Sequence, residues 1–200
     1  MLEQRIQQHF IDSADLKYQA AQALSQPITA AVQAIWACVT NGAKVLACGS
    51  GPSAAQAQQL AAFCVTGFER ERPELAALAL VPDALWLAAA TTGAGADIAA
   101  LARQVRALGQ AGDLLLAITI AGNEPAMLEA VQAAHERDMT VVALTGRDGG
   151  ALATLLRETD VQICVPHDRP ARVREVHALV LHCLCDGVDA QLLGEQENPI

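Results

Sequence analysis

The spacing of the hydrophobic positions changes after residue 43, and this change separates two kinds of predicted element. Apolar residues recur at helical spacing over residues 2–24 and again from Pro27 to about residue 39. Pro27 suits the first turn of a helix, and Asn41 with Gly42 ends the second pattern. The opening part of the chain is therefore expected to form a pair of helices.

After residue 43, short apolar runs alternate with helical patterns. The runs that predict strands are residues 44–48, 76–81, 113–119, 140–145 and 161–165. Helical spacing is found at residues 54–65, 96–108, 125–137, 150–157 and 172–193. Short apolar strands that alternate with helices form parallel sheets covered on both faces. The pattern predicts a doubly wound five-stranded parallel sheet, an α/β/α sandwich preceded by the N-terminal helical pair.

The chain shows no shift in composition that would divide it into separate folding units. We expect N-terminal helices used in oligomerisation at residues 1–42, one α/β domain at residues 43–193 and a tail at residues 194–200. Phe10, Ile35 and Trp36 on the first helices either bury against another subunit or pack on their own sheet.

Composition narrows the classes of function. The chain is 52% hydrophobic, 3% aromatic and 18% charged, which excludes a disordered protein. No run approaches the roughly 18–20 apolar residues that span a bilayer, and the N-terminus does not resemble a signal peptide, so a soluble cytoplasmic protein is expected. The net charge of −9 disfavours direct binding to nucleic acid.

The six cysteines do not predict a metal site or a disulfide framework. None forms a Cys-x-x-Cys pair, and no histidine spacing completes a zinc-binding pattern. We expect reduced thiols that serve as small core residues.

Candidate chemistry lies in the loops that follow the strands, because ligands of doubly wound sheets bind at the carboxyl ends of strands. These loops are residues 49–53, 91–97, 119–125 and 146–150. The first fits the dinucleotide pattern G-x-G-x-x-A, but Glu69 and Glu71 precede the next strand instead of ending it, which disfavours a nicotinamide cofactor. A single phosphate on a helix N-terminus fits better, although glycines also serve tight turns alone.

Five segments carry a resemblance to a known family. They are CGSGPS at 48–53, ERERP at 69–73, GDLLLAI at 112–118 followed by Gly122 and Asn123, ALTGRDGG at 143–150, and RVREVH at 172–177. In this order they resemble the SIS (sugar isomerase) domain, and specifically its phosphoheptose isomerase branch. The resemblance runs from about residue 5 to residue 193, and it implies the doubly wound fold described above.

Three further segments look closest to one group within that branch, the DnaA initiator-associating (DiaA) proteins. They are QVRALG at 104–109, RDMTVVAL at 137–144 and CLCD at 183–186. The resemblance to this group implies a homotetramer that binds the replication initiator DnaA and does not isomerise a sugar.

The resemblance also implies where catalytic groups would lie. Aldose–ketose isomerisation needs a base next to the carbonyl and an acid at its oxygen. The family's glutamate position falls at Phe63, while its histidine position is retained as His182. The remaining ligand positions of a metal seen in some members fall at Gln59 and Arg174, so we expect no metal and no cofactor. His182 is the catalytic candidate, or alternatively a helix histidine without a catalytic role.

The phosphosugar site implied by the resemblance comprises Gly51, Ser53, Thr119, Gly122, Asn123 and Arg174. Two serine positions of the family's phosphate loop are occupied here by Ala121 and Glu124. A carboxylate near a bound phosphate is repulsive unless it is neutralised. Arg174 could neutralise either Glu124 or a ligand anion.

These features lead to one main hypothesis and two alternatives. The main hypothesis is a non-catalytic homotetramer that binds DnaA, with Leu192 and Leu193 as partner-binding residues, although these leucines could equally be ordinary packing of the last helical turn. The first alternative is a phosphoheptose (sedoheptulose 7-phosphate) isomerase that uses His182 with Asp148 or Glu175. The second is a sugar-phosphate sensor.

Overall fold

The computed structural model of this chain describes residues 1–81 and 98–194. Its helices are α1 (Leu2–Thr40), α2 (Ser53–Thr66), α3 (Ala99–Leu108), α4 (Pro125–Glu136), α5 (Gly150–Leu155) and α6 (Pro170–Leu193). Its strands are β1 (Val45–Gly49), β2 (Ala77–Ala79), β3 (Leu114–Ile118), β4 (Thr140–Gly146) and β5 (Val161–Val165).

The five strands form one parallel sheet in the order β2-β1-β3-β4-β5. The chain passes from β1 to β2 on one side and then returns to β3 on the other side of β1. The topological switch point therefore lies between β1 and β3, where the carboxyl ends of a doubly wound sheet open a crevice for a ligand. The predicted fold class is confirmed.

The sheet is buried on both faces because its strands are continuous apolar runs with alternating side chains. Val45 and Ala47 of β1 belong to the core formed with α1, α2 and α6. Leu46 and Cys48 belong to the opposite core, formed with α3, α4 and α5. This two-sided burial is what the apolar runs predict for a parallel sheet.

The N-terminal part differs from the predicted pair of helices, because α1 is one helix of 39 residues that continues through Pro27. A proline inside a helix removes one hydrogen bond and costs about 3 kcal/mol. The buried side chains on both sides of Pro27 lie in one core, and burial of a large aliphatic side chain contributes about 1.5–3 kcal/mol each. Those buried residues are Leu16, Ala20, Leu24, Ala31, Val32, Ile35 and Cys38.

Of the three apolar residues singled out on α1, one packs on the chain's own sheet and two are exposed. Ile35 packs on its own sheet and is only 3% exposed. Phe10 and Trp36 remain exposed, at 75% and 37% of their surface.

Helix α6 is long and apolar enough, by length and composition alone, to cross a membrane. This finding differs from the sequence-based expectation that no segment meets this criterion. Its apolar residues pack in the protein core, where Val173, Val180 and Leu181 are buried beside the sheet. A central helix of a folded domain meets the same criterion of length and composition.

All six cysteines are unpaired, and four of them are buried. Burial raises the pKa of Cys48 to about 12 and that of Cys185 to about 12. Burial raises the pKa of Cys38 and of Cys64 to about 11. These thiols therefore remain protonated, as expected for small core residues.

A buried histidine joins α6 to the end of β4. His177 has no exposed surface, and its Nε2 lies 3.0 Å from the backbone oxygen of Thr145. Because the carbonyl can only accept, Nε2 carries a hydrogen, while the buried Nδ1 has no partner among the described residues. Burial lowers the pKa of His177 from 6.5 to about 4, against the weaker opposing effect of this hydrogen bond.

We expect His177 to make the protein less stable in acid. Its pKa is lower in the folded protein than in the unfolded chain, so its contribution is complete above pH 6.5 and is lost as the pH falls toward 4. The loss amounts to about 3 kcal/mol. The free energy of unfolding, measured in urea from pH 7 to pH 4, should therefore fall more steeply for the wild type than for His177→Gln, whose amide can still donate to Thr145. Parallel curves for the two proteins would contradict this role.

Candidate functional site

Two turns meet at the crevice between β1 and β3. The first, residues 50–52, connects β1 to α2 and is tied to the end of β3 by the bond from Ser50 N to Ile118 O, 3.0 Å. Gly51 adopts a φ of +53°, which favours glycine. Ser53, the first residue of α2, is fully buried, and its hydroxyl has no hydrogen-bond partner among the described residues. The sequence-predicted Gly51 and Ser53 therefore lie at a helix N-terminus beside β3.

The second turn connects β3 to α4 and contains three of the predicted residues. Thr119 is fully buried, and its hydroxyl donates to Glu124 Oε2 at 2.5 Å while accepting from Gly122 N at 3.2 Å. The backbone N–H of Asn123 donates to the same Glu124 oxygen at 3.1 Å. Thr119, Gly122 and Asn123 thus lie in one turn, and the carboxylate of Glu124 is bound among them.

The turn between β4 and α5 holds this second turn in place. Gly122 has a φ of +69°, and a Cβ there would overlap the carbonyl oxygen of Gly149. Leu152 N donates to Gly122 O at 2.9 Å, and Ala151 N donates to the side-chain oxygen of Asn123 at 2.8 Å. The amide oxygen of Asn123 is therefore engaged in supporting the turn.

Helices α2 and α6 form the side of the crevice. Gln56 Nε2 donates to the backbone oxygen of Arg174 at 2.9 Å, which joins the first turns of the two helices. The side-chain oxygen of Gln56 is buried and has no partner within residues 1–81 and 98–194. Arg174 is half-buried. Sequence reasoning missed Gln56, whose only signal is its position one turn after the glycine loop.

Further along the same two helices, His182 lies among aromatic rings. Its ring centre is 5.9 Å from that of Phe63 and 5.2 Å from that of Phe68. Phe63 and Phe68 contact each other edge to face at 5.0 Å. The predicted neighbours His182 and Phe63 are therefore in contact, and the half-buried imidazole packs on apolar surface.

A buried ion pair holds this aromatic group in position. Arg72 Nε lies 2.5 Å from Asp189 Oδ1, with both side chains only 2% exposed. The same guanidinium donates to the backbone oxygens of Phe63 and Cys64 at 2.9 and 2.8 Å. Arg72 thus satisfies the last carbonyls of α2 and fastens them to α6. Its signal in the sequence is the ERERP segment, to which no such role was assigned.

The two carboxylates considered as partners of His182 are engaged elsewhere. Asp148 accepts from Gly150 N in the β4–α5 turn. Glu175 bonds to Arg172 and to Ser13 of α1. Burial opposes ionisation of Glu175, but these hydrogen bonds outweigh it and the pKa of Glu175 is below its ordinary value.

The residues at the family's metal positions do not fit a metal site. Gln59, Phe63, Arg174 and His182 offer one good ligand among four. Over residues 1–81 and 98–194, His, Cys, Asp and Glu form no group of three or more that could hold a metal ion.

The remaining predicted residues lie away from the crevice. Leu192 packs against the core that includes α1, and Leu193 is 43% exposed at the end of α6. The candidate loop at residues 91–97 lies outside the described residues.

Comparison with known proteins assigns this arrangement to a family. A family model described as SIS domain matches residues 8–146. The phosphoheptose isomerase of Methylibium petroleiphilum is 61% identical over 198 residues, with 98% of each chain covered. That of Azoarcus sp. is 51% identical over 196 residues, covering 96% of this chain and 98% of the relative.

Solved structures give the same result. The phosphoheptose isomerase GmhA of Neisseria gonorrhoeae matches with a TM-score of 0.88 and 45% identity, over 95% of this chain and all of that one. A phosphoheptose isomerase from Francisella tularensis matches with a TM-score of 0.89 and 40% identity, over 94% and 98%.

These comparisons correct the main functional hypothesis. The expectation of a non-catalytic protein that binds DnaA through Leu192 and Leu193 is wrong, because full-length relatives at 48–61% identity are named as isomerases. The branch of the family was predicted correctly, but closeness to the DiaA group is not confirmed.

A comparison of two glycine substitutions should show whether Gly122, in the second turn, is required for close packing or only for its backbone conformation. Gly112 also has a positive φ, +89°, but a Cβ there would meet open space. We expect Gly112→Ala to lower the free energy of unfolding by about 1 kcal/mol. Gly122→Ala should lower it by about 1–3 kcal/mol more, because the methyl group must displace Gly149. Urea unfolding of both variants measures the difference, and equal costs would exclude a packing role for Gly122.

Proposed function

We propose that this chain, which belongs to the SIS domain family, isomerises a phosphorylated sugar as a phosphoheptose isomerase, with sedoheptulose 7-phosphate as substrate. One observation carries this proposal. The β1–α2 and β3–α4 turns meet at the crevice, and His182 lies further along α2 and α6, the helices beside it. The names of the relatives at 48–61% identity agree with this proposal.

The sugar phosphate would lie along α2 and α6. Its phosphate would bind at the turns that contain Ser53 and Thr119, where helix N-termini favour anions. The buried oxygen of Gln56 has no partner among the described residues and could accept from a sugar hydroxyl, and Arg174 could contribute a positive charge. The sugar chain would then extend from the turns toward His182.

The reaction moves a proton between two neighbouring carbons, and a second proton passes between their oxygens as the carbonyl changes place. An imidazole can accept and return such a proton near neutral pH. The imidazole of His182 packs against Phe63 beside α2 and α6, so we assign the proton transfer to it. Its aromatic neighbours would exclude water from the reacting carbons.

Substitution of His182 tests this assignment. We expect His182→Phe, which keeps an aromatic ring beside Phe63 and Phe68, to lower kcat for sedoheptulose 7-phosphate by about 100-fold or more. Leu179→Ala, at an exposed position of the same helix, serves as the control and should retain activity.

The outcomes distinguish catalysis from packing. Loss of activity in His182→Phe with an unchanged Tm and an unchanged KM supports proton transfer. Unchanged activity would refute the assignment. Sugar-phosphate binding by the wild type without conversion would contradict the isomerase and indicate a sensor.

We further propose that the protein is a cytoplasmic homotetramer assembled through α1. Leu2, Ile6 and Phe10 recur every four residues and are 73%, 50% and 75% exposed, so they form one apolar face. A second copy of the chain would bury this face. The six unpaired cysteines suit a reducing compartment.

The assembly can be tested by light scattering after gel filtration. Phe10→Asp places a charge on this apolar face and is expected to yield a species smaller than the tetramer. Gln4→Asp adds the same charge elsewhere on α1 and should leave the mass unchanged. A tetramer that persists in Phe10→Asp would place the interface elsewhere.

A further inference from the structure

The carboxylate of Glu124 binds in the turn between β3 and α4 as a ligand anion would. One oxygen, Oε2, accepts from the hydroxyl of Thr119 at 2.5 Å and from the backbone N–H of Asn123 at 3.1 Å. This oxygen sits at the start of α4, where the helix dipole favours negative charge. The two donors that converge there are a hydroxyl and a backbone amide, which are also groups that bind phosphate oxygens.

No cation neutralises this carboxylate in the part of the chain that the structure describes. The ion pairs within residues 1–81 and 98–194 do not include Glu124. Arg174, considered in the sequence as its counter-ion, is not among its bonded partners there. Glu124 is therefore held by neutral donors alone, so its negative charge remains available to repel a second anion.

The backbone of the turn is fixed, whereas the Glu124 side chain can leave it. Gly122 O and the Asn123 side-chain oxygen accept from Leu152 N and Ala151 N, and Gly122 lies against Gly149. Glu124 itself is half-buried, and the contacts of its carboxylate are the two hydrogen bonds above. Rotation of this one side chain would free the hydroxyl of Thr119 and the amide of Asn123 for another anion.

We propose that Glu124 is an internal anion that competes with the phosphate of the substrate for this turn and so sets the affinity of the site. This inference rests on the proposed function, because it concerns the same phosphate-binding turn. Two anions cannot share these donors, since like charges a few ångströms apart repel each other. A phosphate must therefore displace the carboxylate, and its apparent affinity is reduced by the fraction of molecules in which the turn is occupied.

Substitutions at Glu124 measure this competition directly. Glu124→Ala removes the internal anion, and Glu124→Gln keeps an oxygen acceptor of the same size without the charge. Glu129→Ala, five residues further on α4, changes the net charge equally and is the matched control. The dissociation constant of inorganic phosphate is measured by calorimetry at constant ionic strength, since screening alters charge effects.

We expect phosphate to bind at least tenfold more tightly to Glu124→Ala than to the wild type, with Glu124→Gln in between and Glu129→Ala unchanged. Equal affinity in all four proteins would overturn the inference. Weaker binding in Glu124→Ala would also overturn it, because Glu124 would then assist the ligand. If Glu124→Ala has a reduced Tm, Glu124→Gln alone decides, because it can accept the same two hydrogen bonds.

The isomerase proposal is tested separately in the same preparations. Sedoheptulose 7-phosphate turnover should show a lower KM in Glu124→Ala, in line with the change in phosphate affinity. Tighter phosphate binding without turnover in any of the proteins would support the internal anion and refute the isomerase. Turnover with a KM that is the same in Glu124→Ala and the wild type would support the isomerase and refute the internal anion.

Discussion

The close approach of two glycine turns determines the shape of the candidate site. Gly122, at the end of β3, lies against the backbone of Gly149, at the end of β4, and leaves no room for a side chain. This contact orients the donors of the β3–α4 turn and leaves α4 and α5 beginning side by side. Hydrogen bonds from the backbone N–H groups of Ala151 and Leu152 to the β3–α4 turn strengthen this contact. The hydroxyl of Thr119 and the amide of Asn123 therefore face a common point before any ligand arrives, which reduces the cost of ordering on binding.

Most of the fold could be predicted because parallel strands in such a sheet are buried on both faces and read as continuous apolar runs. β3, β4 and β5 lie close to their predicted limits, whereas β2 is reduced to Ala77–Ala79 at the edge of the sheet. Pro27 was interpreted as the start of a second helix, yet α1 continues through it. Local propensity favoured a break at Pro27, but burial of both halves of α1 in one core stabilises a continuous helix. The sequence pattern alone does not show that the two halves share this core.

The site was less predictable because its contacts join residues that are distant in sequence. The glycine turns could be placed from strand and helix patterns. The pairing of Arg72 with Asp189, 117 residues apart, could not. Nor could the contact of His182 with Phe68, since ring packing depends on the angle between α2 and α6. The functional hypothesis rested on Phe63 and three short segments, and these do not outweigh relatives at 48–61% identity over nearly the whole chain.

Burial of four thiols affects how fast the protein reacts with oxidants and electrophiles. Such reagents attack the thiolate, and the raised pKa of Cys38, Cys48, Cys64 and Cys185 keeps these sulfurs protonated as well as inaccessible. Their modification requires the surrounding core to open first, so its rate is governed by the free energy of local opening and not by intrinsic reactivity. Cys183 on α6 is exposed and needs no such opening, although partial burial also raises its pKa. Chemical damage would therefore proceed from the surface thiol inward, at a pace set by the fluctuations of the sheet and its helices.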